Sequence, residues 1–168
     1  MILKLIGGVF VVLACVLYAL NYINNQKKRV ASINNIIDFL YSLEIMIKYQ
    51  LLSIPEAIDL YVNTNNFELI SSCNNLLKQN YTLKDAWNKS ILKSKITLCL
   101  NETDINLLKD FSIKLGDTDL EGQLTNIELY KKRFKSVLED SQSKLKENTK
   151  LALSLSFFAG LVITIMTV

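Results

Sequence analysis

The sequence contains no histidine. That removes the side chain most often used as a general base and most often used as a metal ligand. Cysteine occurs only at Cys15, Cys73 and Cys99, and no two of these are spaced as zinc ligands. We read all three as free thiols in a reducing compartment. Proline occurs once, at Pro55, and the five glycines build no Gly-rich phosphate loop. No strand-like alternation bounded by turns is present, nor any internal repeat, low-complexity tract or flexible linker. With no histidine, no nucleophile–base pair and no phosphate loop, the usual roles of an enzyme site cannot be filled. The expectation is a protein that is not an enzyme, with no catalytic residues, cofactor or bound metal.

Charge is missing from two stretches, residues 5–20 (LIGGVFVVLACVLYAL) and residues 151–168 (LALSLSFFAGLVITIMTV). Eighteen helical residues rise about 27 Å, close to the ~30 Å hydrocarbon core of a bilayer. Residues 151–168 are therefore expected to span a membrane. Ser154, Ser156, Gly160 and Thr164 are small residues at helical spacing, which favours close helix packing there. The first run has a rival reading as a lipoprotein signal, with Val12-Leu13-Ala14-Cys15 as its cleavage box. Against that, the apolar run continues past Cys15 to Leu20, and Lys4 alone is a thin basic start. We read a retained anchor.

Charge placement gives the orientation. Lys27, Lys28 and Arg29 follow the first run, while Lys144, Lys146 and Lys150 precede the second. Only Lys4 lies on the far side. The positive-inside bias then puts the middle of the chain in the cytosol and both short ends outside. The net charge of +3 belongs to these flanks: residues 30–145 carry 13 Lys and Arg against 15 Asp and Glu. That middle lacks the basic footprint of a nucleic-acid binder, and lipid headgroups are the expected partner of the flanks. The domain limits expected are 1–26 and 148–168 for the anchors and 27–147 for a cytosolic domain.

The middle reads as a bundle of about six helices, all-α. Val30, Ile33, Ile37, Leu40, Ile47 and Leu51 recur at three, four and seven, one apolar face of a long helix. Ser53, Pro55 and Glu56 start a second helix as a capping box with proline in the first turn. Residues 63–66 form a loop, and residues 67–78 carry Leu69, Ile70, Cys73, Leu76 and Leu77 on one side. Thr82 and Asp85 open a helix bearing Leu83, Ala86, Trp87 and Ile91; Asn101 and Asp104 open another bearing Ile105, Leu108 and Phe111. That one stops at Leu115-Gly116, where glycine suits a left-handed terminus. The last helix starts near Asp119 with Leu120, Leu124, Ile127, Phe134, Leu138 and Leu145 on its apolar side. Lys131 and Ser141 interrupt that side. No Gly or Pro lies between Gln123 and Ala159, so the helix is expected to run directly into the second apolar stretch as a strut.

Three constellations could carry more than packing. Asp117, Asp119, Glu121, Gly122 and Glu128 match a calcium-loop spacing, but such a loop would delay the helix until about Ile127, and the apolar periodicity already begins at Leu120. Asp119 as a helix cap, with Glu121 complementing the dipole, accounts for the same residues. Trp87 and Tyr81 are candidates for a partner surface, although a lone tryptophan on an amphipathic helix is usually core. Lys131, Lys132, Arg133 and Lys135 form a basic run that we read as a solvated helix face.

The chain resembles the stage III sporulation protein AB family of endospore-forming bacteria along essentially its whole length. The resemblance is carried by Leu13-Ala14-Cys15, by Tyr49, by Pro55-Glu56-Ala57 and by Asp85-Ala86-Trp87. Its most specific part is Leu115-Gly116-x-x-Asp119-x-x-Gly122-Gln123, and it closes on a C-terminal anchor entered from a Lys-rich helix. Met46, Ser53 and Ser156 stand where the family often has Glu, Pro and Gly. The resemblance implies a cytosolic helical bundle like that of type II secretion platform proteins. It implies a subunit of the channel between mother cell and forespore, in the mother-cell membrane around the engulfed forespore. It implies as partners the sporulation protein AA, which resembles secretion ATPases, and other channel proteins of the operon. Carried onto this chain, Leu115, Gly116, Asp119, Gly122, Gln123 and Trp87 become candidate contact residues. Against this reading stand two others, a calcium-responsive membrane sensor using residues 117–128 and an outward-facing lipoprotein. Oligomerisation is compatible with the leading reading.

Overall fold

The computed structural model describes residues 2–116 and 119–167, and every structural statement below concerns these. The described residues are all-α, with helices α1 (Ile2–Gln50), α2 (Ile54–Thr64), α3 (Glu68–Leu77), α4 (Leu83–Ser94), α5 (Glu102–Ile113) and α6 (Leu120–Thr167). They divide into two compact units. Met1–Val30 and Glu139–Val168 form one, and Ala31–Leu138 the other.

The first unit holds the start of α1 and the end of α6. Its apolar side chains are largely uncovered: Phe10, Leu17, Tyr18, Leu155 and Phe158 are all exposed. Over Val12–Gln50, α1 is long and apolar enough to cross a membrane, the one described helix that is. Both long helices extend further than a single apolar face implies. No proline or interior glycine interrupts residues 9–50 or 123–159, so the backbone ladder has no reason to break.

The second unit is a helical bundle whose starts are set by local capping. The Glu56 carboxylate accepts from the Ser53 N–H at 2.8 Å and from its hydroxyl at 2.6 Å. These bonds hold the Glu56 carboxyl below its ordinary pKa. The Asp85 N–H donates to Thr82 Oγ1 at 3.1 Å. Asn101 and Asp104 cap each other, at 2.9 and 3.1 Å. Gly122 N–H donates to Asp119 Oδ1 at 3.0 Å, so Asp119 caps α6 as the periodicity implies.

An aromatic chain runs through the core of this bundle. Tyr61 of α2 meets Phe39 of α1 edge-on at 5.0 Å between centroids. Phe39 lies 6.0 Å from Trp87 of α4, Trp87 5.5 Å from Phe111 of α5, and Phe111 5.3 Å from Tyr130 of α6. Five helices are thus tied by edge or tilted ring pairs, each contributing about 0.5–1.5 kcal/mol beyond burial. Trp87 Nε1 donates to the Leu108 carbonyl at 2.9 Å, so its one polar atom is satisfied inside the core. Cys73 is fully buried, and burial pushes its thiol up to about 12, so it is an inert small hydrophobe.

Three expectations need correction. Leu51 is not on the apolar face of α1: the helix ends at Gln50, and Leu51 adopts φ 53° with 75% exposure. Leu52 N–H then turns back to the Met46 carbonyl at 3.3 Å. Leu120, at the first position of α6, is 47% exposed and not on the buried side. Lys131 does not belong to a solvated basic face. Its side chain is 11% exposed and forms an ion pair with Glu44 of α1, and its ammonium also sits 4.4 Å from the Tyr41 ring centroid. The remaining members of that run, Lys132, Arg133 and Lys135, are exposed.

Candidate partner-binding surface

A groove of about 700 Å³ opens on the second unit where three chain reversals meet. The α1–α2 turn supplies Leu51, Leu52 and Pro55, the start of α4 supplies Leu83 and Lys84, and the α5–α6 reversal supplies Leu115, Gly116, Leu120 and Gln123. Each reversal follows from a local cause already described. The left-handed Leu51 ends α1, the Thr82 cap starts α4, and Gly116 ends the α5 segment. Gly116 has φ +87°, the left-handed region that glycine alone enters without cost. A Cβ added there would come 3.3 Å from Leu83 Cδ2, so glycine also lets the reversal approach α4.

The groove is mainly apolar, with few polar groups at its edge. Leu115 is buried at its base, Gln123 is half-buried, and Gly116 is exposed at its rim. Asp119 and Gly122 face a neighbouring concavity with Lys114, Glu121 and Asn126. The described residues of the motif 115–123 are thus split between two adjoining surfaces. Trp87, offered by the sequence as a contact residue, is 1% exposed and belongs to the core, because its indole completes the aromatic chain. Tyr81, its companion candidate, is exposed and packs under the Lys89 ammonium, 3.9 Å from the ring centroid. Sequence reasoning did not single out Leu51, Leu52 or Leu83 as surface residues. Nothing in their spacing distinguishes them from core; the left-handed turn exposes Leu51, while Leu52 and Leu83 are half-buried against the core.

The calcium spacing meets a different geometry. Asp117 lies outside the described residues. Glu121, Gly122 and Glu128 are already inside α6, where Glu128 pairs with Lys132 at 2.9 Å along the helix. That hydrogen-bonded lysine holds the Glu128 carboxyl below its ordinary pKa. A loop folded around an ion needs Glu121 and Gly122 out of the helix.

The family comparisons agree along the chain. A family model described as stage III sporulation protein AB matches residues 4–168. Stage III sporulation protein AB of Bacillus subtilis (strain 168) is 29% identical over 168 residues, covering 98% of each chain. A solved structure of a stage III sporulation protein AB has a TM-score of 0.62 and 25% identity, covering 70% of this chain and 96% of its own. The chain therefore belongs to the stage III sporulation protein AB family and has a role in sporulation.

Proposed function

We propose that this chain is a non-enzymatic platform subunit of the mother cell–forespore channel. Residues 5–20 and 151–168 cross the mother-cell membrane around the forespore, and the helical bundle stands in the mother-cell cytosol. The bundle binds the secretion-type ATPase of the same operon, stage III sporulation protein AA, and couples it to membrane-embedded channel parts. The groove at the three chain reversals is the contact surface. The observation that carries this reading is the groove itself. It joins exposed or half-buried leucines from three separate elements to Leu115, Gly116 and Gln123 of the family's most specific motif. An apolar recess with a small polar rim is the form that a protein hot spot takes. The charge-free end runs and the basic residues beside them support the topology.

The test is retention of the purified ATPase by the full-length chain in detergent. Leu51→Asp puts a charge in the groove at a residue that is 75% exposed. Aspartate also tolerates the left-handed backbone, so folding should be unaffected. Retention is expected to fall tenfold or more, while the melting temperature stays within a degree or two of the parent. Unchanged retention by a folded variant refutes the groove as the contact. Failure of the parent chain to retain the ATPase refutes direct coupling.

A further inference from the structure

Ile96, in the turn between α4 and α5, is 79% exposed, more than any other large hydrophobic described. Leu92, one helical turn earlier, is exposed as well. Lys93 and Lys95 stand between them, also without full cover. Residues 86–101 contain Lys89, Lys93 and Lys95 and no Asp or Glu. The turn is tied to α1, because Ser32 Oγ donates to the Leu98 carbonyl at 2.9 Å. Ser32 is the third residue after Arg29 in that helix, and residues 1–37 contain Lys4, Lys27, Lys28 and Arg29 and no Asp or Glu. Two segments free of acidic residues are therefore joined at this hydrogen bond.

Leu92 and Ile96 lie one helical turn apart in sequence, both exposed, with Lys93 and Lys95 between them. A surface made for a polyanion such as nucleic acid would carry the lysines without the aliphatic pair. Aliphatic side chains interleaved with lysines suit the headgroup boundary of an anionic bilayer. There the alkyl groups leave water and the ammonium groups meet lipid phosphate. We propose that the α4–α5 turn is a peripheral membrane contact, with Leu92 and Ile96 entering the headgroup boundary while Lys93 and Lys95 bind anionic phosphate. The inference rests on the reading that the apolar runs hold the chain in a bilayer. The contact gives the cytosolic bundle a second point of attachment besides its own chain ends.

Photo-crosslinking separates the two ideas. The full-length chain is placed in phosphatidylglycerol-containing nanodiscs with Leu13, Ile96 or Ile113 replaced, one at a time, by p-benzoylphenylalanine. Leu13 lies within the first apolar run, and Ile113 is an exposed residue at the far end of α5. Each position is exposed, and thermal unfolding of each variant checks that the fold is kept. Lipid adducts are expected at 13 and 96 and few at 113. Adducts at 96 should fall at least threefold when Lys93→Glu and Lys95→Glu are combined, or when phosphatidylcholine replaces phosphatidylglycerol. No adduct at 13 defeats the membrane reading, and the turn proposal with it. Adducts at 13 but none at 96, or as many at 113 as at 96, overturn the turn proposal alone. So do adducts from 96 to protein in place of lipid in membranes of sporulating cells.

Discussion

The two compact units treat the same kinds of side chain in opposite ways. In Ala31–Leu138 the aliphatic and aromatic residues turn inward: Ile33, Leu40, Leu69, Ile91 and Phe134 are essentially inaccessible. In the other unit Phe10, Leu17, Tyr18, Leu155 and Phe158 are more than half exposed. One helix shows both habits. Along α1, Leu17 is 65% exposed and Leu40 only 1%. The difference follows the polar residues that each stretch carries. Around Leu40 the other face of the helix carries Asn34, Asn35 and Asp38, which water solvates, so the apolar face must find protein. Around Leu17 there is no charged face, and an uncovered run of that length is what a bilayer accommodates. Burial within a fold is thus no measure of whether a hydrophobic residue is well placed.

The sharpest way to break this comparison is to remove a side chain that only one unit needs. Trp87→Ala deletes the middle of the aromatic chain and removes the indole N–H that donates to the Leu108 carbonyl. It is expected to cost about 3–5 kcal/mol, enough to unfold much of the bundle, as read by urea titration. Trp87→Phe keeps the ring contacts and should cost clearly less. Membrane retention of the chain should survive both changes. If Trp87→Ala unfolds nothing, the bundle does not depend on the aromatic chain.

The reciprocal variant is Leu13→Lys. A lysine at the centre of a membrane helix costs about 2.5–3.5 kcal/mol on insertion scales. Release of the chain by alkaline extraction should rise, while the urea midpoint of the bundle stays where it was. A midpoint lowered as far as by Trp87→Ala would show that the apolar run packs as core, and the contrast between the units would fall. Cys99 is a better reporter of topology than Cys73 in the same samples. Cys99 is half-buried, whereas Cys73 is sealed in the core and would escape any thiol reagent on either side of a membrane.

Much of the bundle was legible because its signals are local. Ser53 with Glu56, Thr82 with Asp85, Asn101 with Asp104, and Asp119 each mark a helix start within three residues, and each forms the expected bond. The all-helical class followed from periodicity. What sequence could not supply was the cover of individual residues. Leu51 continues the heptad of α1 perfectly, and only the backbone shows that it leaves the helix. Lys131 falls on the apolar side of the last helix by spacing, yet it also reads as one of four residues in a basic run. Its burial depends on Glu44, 87 positions away, which no spacing rule connects to it. The groove was half legible for the same reason. The motif 115–123 named one wall, while the other two walls come from turns distant in sequence.

The smallest expected effects come from two left-handed residues that line that groove, and they have opposite signs. Gly116 sits at φ +87°, where any side chain strains the backbone and a β-branched one strains it most. Gly116→Val should cost about 1–2 kcal/mol. Most of this is conformational, since the Leu83 methyl that a new Cβ would meet at 3.3 Å can move aside. Leu51 is the converse, a leucine at φ 53° that buries little of itself. Leu51→Gly removes a left-handed penalty of about 1–2 kcal/mol but gives the unfolded chain more freedom, worth about 0.5–1 kcal/mol. The net gain should be roughly 0.5–1 kcal/mol, visible as a higher urea midpoint with an unchanged slope. That gain carries information about function. On the function proposed above, the exposed Leu51 side chain is kept at this strained position for contact. Leu51→Gly should therefore stabilise the bundle and weaken ATPase retention together. A variant that is more stable and binds as well as the parent would leave Leu51 with no role in the groove. A variant that is less stable would show that the leucine packs more than its exposure indicates.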